Sequence, residues 1–173
     1  MPADKLGRLA SAYRHDHLKN AFVLFDDARD SRWSRPLPFQ SGGGGLVSTA
    51  DDYLAFFRMM LNKGLHGRER ILSRASVELM TTDHLTAEQK VGAELFFGEN
   101  RSWGMGMAVT TRRDDLWDSP GRFGWDGGYG TSAYADPAED LVGILLTQRM
   151  MGPSGLPRIY TDFWNTAYAA IND

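Results

Sequence analysis

The chain has 173 residues, 42% of them apolar, which suits one compact domain with a sizeable core. Its formal net charge of -3 comes with both signs interspersed, so nothing draws it electrostatically to nucleic acid or to an anionic membrane. There is no cysteine, which excludes disulfides, thiolate metal sites and cysteine nucleophiles.

No stretch reaches the roughly 18 apolar residues that a transmembrane helix needs. Met1–Leu6 lacks the apolar region of a secretory signal. Pro2 to Tyr13 carries a weak helical pattern through Leu6, Leu9 and Ala10, and Ala21 to Phe25 suits a short strand. Asp26 to Gln40 holds charge, prolines and Trp33, and reads as a surface connection. Gly42 to Gly45 then permits backbone conformations closed to other residues.

A clear helix follows. Ser48 is the expected N-cap, and Asp51 and Asp52 place negative charge in the first turn. Tyr53, Phe56, Phe57, Met60 and Leu61 form one apolar face, and Gly64 is expected to supply the left-handed residue that ends the helix. A hairpin-like link over Gly64–Arg70 leads to Ser73, the expected cap of a helix through about Thr81. Thr86-Ala87-Glu88-Gln89 is a capping box for a short helix before Gly98.

The period then changes. Trp103, Met105, Met107 and Val109 alternate with Gly104, Gly106, Ala108 and Thr110, which predicts a strand with a bulky face and a small face, the small one packed closely by a neighbour such as a helix. Tyr129 to Ala135 and Leu141 to Gln148 read as two more strands about the turn Asp136–Asp140. Met151 to Pro157 is expected as a loop, with Pro157 opening a last helix striped by Ile159, Phe163, Trp164, Ala167 and Ile171. The expected class is α+β: helices, an antiparallel three-strand meander, and a C-terminal helix.

Few residues offer chemistry on composition alone. The glycine run lacks the Gly-Lys-Ser/Thr of a phosphate loop, and a flexible entry into the following helix is the favoured reading. His15, His17, His66 and His84 show no metal-ligand spacing, and no G-x-S-x-G is present, so no metal and no cofactor are expected. Gly124-Trp125-Asp126-Gly127-Gly128 reads, on composition, as a glycine-rich hairpin turn.

Two segments nevertheless carry a resemblance: Gly43-Gly44-Gly45-Leu46-Val47-Ser48-Thr49, and Gly127-Gly128-Tyr129-Gly130-Thr131 followed by Asp136-Pro137 and Leu141-Val142-Gly143. In order and spacing they resemble the C-terminal part of the serine β-lactamase-like family, which includes class C β-lactamases, D-alanyl-D-alanine carboxypeptidases and family VIII carboxylesterases. The resemblance implies a partial β-lactamase/transpeptidase-like fold over residues 1–173. It also implies a serine acyl-enzyme mechanism in the full-length protein, with a small-molecule acyl substrate. The family's nucleophile lies in S-x-x-K, and no serine here has a lysine three residues later; Y-x-N and Y-x-S are absent as well. The chain alone is therefore expected to be inactive, with the nucleophile-bearing part missing.

Aligned on the family's K-T-G box, Trp125, Asp126 and Gly127 take the substrate-binding triplet, and the amide of Gly128 takes the role of an oxyanion donor. Trp125 removes the cation that would meet a substrate carboxylate, and Asp126 adds an anion, so neutral esters are expected over β-lactams. The alternative is a non-catalytic binding or dimerisation module, a homo-oligomer formed through an exposed sheet edge.

Overall fold

A computed structural model describes residues 3–44, 46–152 and 158–171. Gly45 and the expected loop and helix start at Pro153–Pro157 lie outside the described residues. A 3-10 helix spans Ala3–Arg8. The weak helical pattern ends there, because Ala12–Asp16 (β1) pairs antiparallel with Ala21–Asp26 (β2). Asp16 Oδ1 accepts the amides of Leu18 and Lys19 at 3.0 and 3.2 Å, and Asn20 takes φ 45°, which closes the hairpin.

The first long helix, Ala50–Leu61 (α1), starts one residue later than expected. Thr49, not Ser48, is the N-cap, its hydroxyl accepting the Asp52 amide at 3.1 Å. Both residue types can cap, and the choice falls to whichever sits three residues before a free amide as the chain enters the helix. At the other end Lys63 (φ 52°) holds the left-handed C′ position that was expected of glycine. Gly64 (φ 92°) follows at C″, and its amide reaches the Met59 carbonyl at 2.8 Å. A Cβ on Gly64 would strike the Leu72 carbonyl, so glycine is required there for space as well as for φ.

Leu65–His66 (β3) and Glu69–Arg70 (β4) form the short hairpin. Ser73 caps Arg74–Met80 (α2), and both bonds of the Thr86–Gln89 capping box are present at Ala87–Lys90 (α3). A further turn of helix covers Glu94–Phe97 (α4).

The meander has five strands: Arg101–Trp103 (β5), Ala108–Thr110 (β6), Phe123–Gly127 (β7), Thr131–Asp136 (β8) and Leu141–Leu146 (β9), all antiparallel in that order. The alternating run from Trp103 to Thr110 is not one strand but a hairpin. Its turn is closed by the Gly104 amide on the Met107 carbonyl at 2.9 Å, with Gly106 at φ 89°. The expected close neighbour is real and is the C-terminus of α2. The Met80 carbonyl accepts the Met105 amide at 2.9 Å, and a Cβ on Gly104 would collide with it.

Two cores sandwich the sheet. On one face Phe57 and Met60 of α1 and Val77 of α2 pack with Met107, Val109, Phe123, Ala133 and Ala135. On the other, Arg158–Ala169 (α5) lays Trp164 against Trp117 and Tyr134. Gly143 lets α5 approach, because a Cβ there would enter the Trp164 ring. Among the described residues no helix is long and apolar enough to cross a membrane.

Candidate active site

The element that matters most is β7, because it is paired along one side and only half paired along the other. Every residue from Phe123 to Gly127 faces a residue of β8. On the other side β6 reaches only Phe123 and Gly124, since the chain before Ala108 turns away toward α2. Trp125, Asp126 and Gly127 therefore lie on a strand with a free half-edge, and the hairpin turn begins after them. The Thr110 amide bonds the Arg122 carbonyl at 2.8 Å, so the antiparallel alternation aims the backbone groups of Gly124 and Asp126, and beyond them the amide of Gly128, toward this side. Among the described residues the Gly128 amide donates to no acceptor.

The turn that carries Gly128 is held from behind. Its carbonyl accepts the Met151 amide at 3.1 Å, and Thr147 bonds the Gly130 carbonyl through its amide and its hydroxyl at 2.9 and 2.7 Å. Tyr13 of β1 joins the same segment, donating to the Gln148 carbonyl and accepting from Met150, both at 2.8 Å. Tyr129 at the tip packs edge-on against Phe25 and Trp33. Gly128 itself is exposed, a Cβ there meets nothing within 4 Å, and its φ lies outside the left-handed region. Gly127 differs, since a Cβ would strike the Thr131 hydroxyl. Gly42 to Gly44 likewise show no positive φ, so the glycine-only backbone expected there is not used at those three positions.

Alternation also separates the side chains of the triplet. Trp125 shares the face of Phe123 and meets Trp103 edge-on, ring centres 4.7 Å apart, with Phe96 near-parallel at 6.4 Å. Asp126 points to the α5 face. Its carboxylate accepts the Tyr134 hydroxyl at 2.9 Å and lies 4.0 Å from the Arg101 guanidinium.

Asp126 thereby joins a buried charge network. Asp118 is 3.5 Å from Arg101 and 3.3 Å from Arg122, and it accepts the Thr110 hydroxyl at 2.7 Å. Arg122 has no exposed surface, and its guanidinium carbon lies 3.8, 4.2 and 4.8 Å from the ring centres of Tyr134, Trp164 and Trp117. Among the described residues its Nε and Nη2, and the nearby Trp117 Nε1, have no acceptor. Burial draws the Arg122 pKa down from the usual arginine value. Burial also opposes the Arg101 charge, but Tyr134, Asp118 and Asp126 outweigh it and the net shift is upward. The Tyr134 hydroxyl is pushed far up, first by burial and then by the Asp126 charge, so it stays protonated and donates. Two cations face two carboxylates behind the free half-edge.

Arg101, Asp118, Arg122 and Tyr134 carry no sequence motif and were not expected at the site. The signal that could have found them is the clustering of Trp117, Asp118 and Arg122 just before the triplet. Among the described residues no group of three or more His, Cys, Asp or Glu is placed to hold a metal ion. A larger surface concavity, about 650 Å³, lies away from this edge, between α1 and the β3–β4 hairpin.

Comparison with known proteins places this architecture. A family model described as Beta-lactamase matches residues 2–162. Protein Rv1367c of Mycobacterium tuberculosis (strain ATCC 25618 / H37Rv) is 41% identical over 157 residues, 84% of this chain and 37% of that protein. Among solved structures, simvastatin synthase (LovD) from Aspergillus terreus superposes with a TM-score of 0.76 at 19% identity, over 98% of this chain and 45% of that one. EstCE1, described as a hydrolase with promiscuous acyltransferase activity, gives 0.61 at 21%, over 94% and 44%. At such identities the structural likeness shows the fold alone, and the chain spans less than half the length of these relatives. Matched by the family model over nearly all its length, the chain belongs to the beta-lactamase family.

Proposed function

We propose that this chain supplies the sheet-edge wall and one oxyanion donor of a serine acyl-transfer site working on neutral esters. The observation that carries this reading is the free half-edge of β7, which ends on an exposed Gly128 amide without an acceptor. Negative charge develops on the carbonyl oxygen during acyl transfer, and a backbone N–H fixed in advance stabilises it without reorganisation. Of the fold neighbours, EstCE1, a hydrolase with promiscuous acyltransferase activity, favours the same chemistry. With Trp125 in the lysine position of the triplet, no cation is offered there to a substrate carboxylate, which favours esters over β-lactams.

The nucleophile is not among these 173 residues as an S-x-x-K serine, so the chain on its own is expected to be inactive. The test compares the 173-residue chain with the longest polypeptide its gene encodes. Both are treated with p-nitrophenyl butyrate, nitrocefin and a fluorophosphonate label. Ester turnover and labelling of one serine in the longer polypeptide, with neither in the chain alone, is the expected result. Serine-dependent turnover by the chain alone would overturn it.

A second reading is favoured by β9. Its outer side is unpaired among the described residues, and Leu141-Val142-Gly143-Ile144-Leu145-Leu146 carries no charge, proline or bulge to protect that edge. Pairing of two copies across a two-fold axis would cover it. A monomer in sedimentation at micromolar concentration would remove this reading.

A further inference from the structure

The triplet explains Trp125 by what it lacks, a cation, and leaves unexplained the apolar side chains gathered around it. Phe96 lies near-parallel to Trp125 at 6.4 Å, Trp103 meets Trp125 edge-on at 4.7 Å, and Phe97 packs on Trp103 at 6.2 Å. This cluster does not close over itself. Phe96 is 58% exposed, Leu95 beside it 85%, and Met105 in the β5–β6 turn 50%. Scattered exposed apolar residues need no explanation, but a contiguous patch beside a cleft marks a binding surface.

The patch has its own support. α4 carries Leu95, Phe96 and Phe97 on one turn of helix between Gly92 (φ 83°) and Gly98 (φ 53°). No neighbour crowds either glycine, so it is the left-handed backbone that calls for glycine at both ends. The Glu94 carboxylate accepts the Gly92 amide at 2.9 Å, and the Glu94 carbonyl accepts the Gly98 amide at 2.8 Å, which fixes the turn with its aromatic residues toward β5 and β7. Trp103 is the last residue of β5, just before the hairpin turns away and leaves β7 half open. The aromatic cluster and the free backbone edge are thus continuous, one strand position apart.

We infer that Phe96, Trp103 and Trp125, with Leu95 and Met105 at the rim, form the subsite for a bulky apolar group of the ester substrate, an aromatic ring or a long hydrocarbon chain. The inference rests on the acyl-transfer reading of the β7 edge and adds the substrate class to it. An ester carbonyl at the Gly128 amide would place one of its two substituents along Trp125. Stacking on the indole and on Phe96 removes apolar surface of both partners from water. An acetyl or methyl group reaches neither ring. The shared chemistry is the apolar substituent, whether it arrives on the acyl or the alcohol side.

The experiment follows the indole N–H resonances of Trp103 and Trp125 in the protein, assigned through Trp103→Phe and Trp125→Phe. The probes are naphthyl butyrate, butyl naphthoate, naphthalene and ethyl acetate. Saturable shifts of both resonances with the naphthyl probes and none with ethyl acetate are expected. Phe96→Ala should weaken naphthyl binding about ten-fold, while Leu18→Ala, an exposed leucine in the turn of the β1–β2 hairpin, leaves it unchanged. Tighter binding of butyl naphthoate assigns the acyl side and tighter binding of naphthyl butyrate the alcohol side; either supports the subsite. No shift up to the solubility limit, or equal affinity in Phe96→Ala, overturns it. Naphthalene binding at these tryptophans without serine labelling in the gene-encoded polypeptide would keep the subsite and sink the acyl-transfer reading. Acylation there by acetyl esters as fast as by naphthoyl ones would do the reverse.

Discussion

Replacing Asp118 with Asn tests whether one carboxylate holds the charges behind β7. Asparagine has nearly the same shape, so no cavity is made and the change is one of charge. Arg101 is partly exposed and keeps Asp126 at 4.0 Å. Arg122, with no exposed surface, has Asp118 at 3.3 Å as its one ion-pair partner among the described residues and would be left without a countercharge. Breaking a buried pair from one side costs about 3–5 kcal/mol. Arg122→Met is the informative contrast. It removes the cation and its contacts with three rings, worth about 2 kcal/mol. It also removes two buried donors without acceptors, each costing about 1–3 kcal/mol. Its net cost should therefore stay below about 2 kcal/mol. With Arg122 already Met, Asp118→Asn loses only its bond from Thr110 and the Arg101 pair, about 1–2 kcal/mol. The cycle should thus show a coupling of about 1–4 kcal/mol. Urea unfolding followed by far-UV circular dichroism measures all four proteins, since Trp117 and Trp164 fluorescence would itself respond to the substitutions. An Asp118→Asn cost under about 1 kcal/mol, or equal costs in both backgrounds, would show that the aromatic rings alone hold Arg122 and refute the reasoning.

Three further outcomes are expected. In the gene-encoded polypeptide assayed for ester turnover, Gly128→Ala should leave kcat within a few-fold because the site has room and an ordinary φ, whereas Gly128→Pro, lacking the N–H, should lower it about 10²–10³-fold; equal losses in both would show that the amide is not the donor. Tyr160 is raised from 10.0 to about 12 by burial and the Asp126 charge, and Tyr134 and Tyr168 are raised as well. Unfolded tyrosines release protons first, so stability is full below about pH 10 and falls as pH climbs beyond it; ionisation of all six tyrosines at the ordinary tyrosine pKa, with the circular dichroism intact, would contradict this. Gly143→Val should drive a side chain into Trp164 and cost about 1–3 kcal/mol or more, read as a lowered urea midpoint and lost near-ultraviolet dichroism; an unchanged midpoint would mean that α5 does not seat there.

Local chemistry made much of the fold legible. The α1 stripe, the Ser73 cap and the Thr86–Gln89 box all depend on neighbours within four residues, and each stands where the sequence puts it. The β5–β6 hairpin escaped because an alternating run satisfies one strand or two equally well. What decides between them is the Met80 carbonyl beside Gly104, a contact remote in sequence. At the site, the placement of Trp125 to Gly127 on a strand followed from family likeness, whereas composition favoured a turn. Asp126 shows where alternation could have been pressed further. With Phe123 in the core facing α1, a residue three positions on must face α5, toward Tyr134 and Arg101. Its charge is thereby matched within the protein, so Trp125 rather than Asp126 carries the argument against anionic substrates. Arg122 carried no motif of its own, since a buried arginine reads in sequence like an exposed one, and only its place beside Trp117 and Asp118 set it apart.

The bond from Met151 to the Gly128 carbonyl has a consequence for how this chain can vary in length. Thr147 to Met151 is clasped at Gly130, at Gly128 and at Tyr13, with almost no slack between the attachment points. One residue added or removed between Thr147 and Met151 would have to break one of those bonds or tilt the peptide planes around Gly128. Such a change lies outside the triplet and touches no substrate, yet it would be read as a lost oxyanion donor. The loop lengths open to insertion should therefore be sought at residues 38–40 or 112–115, where the chain runs exposed, and not in the few residues after β9.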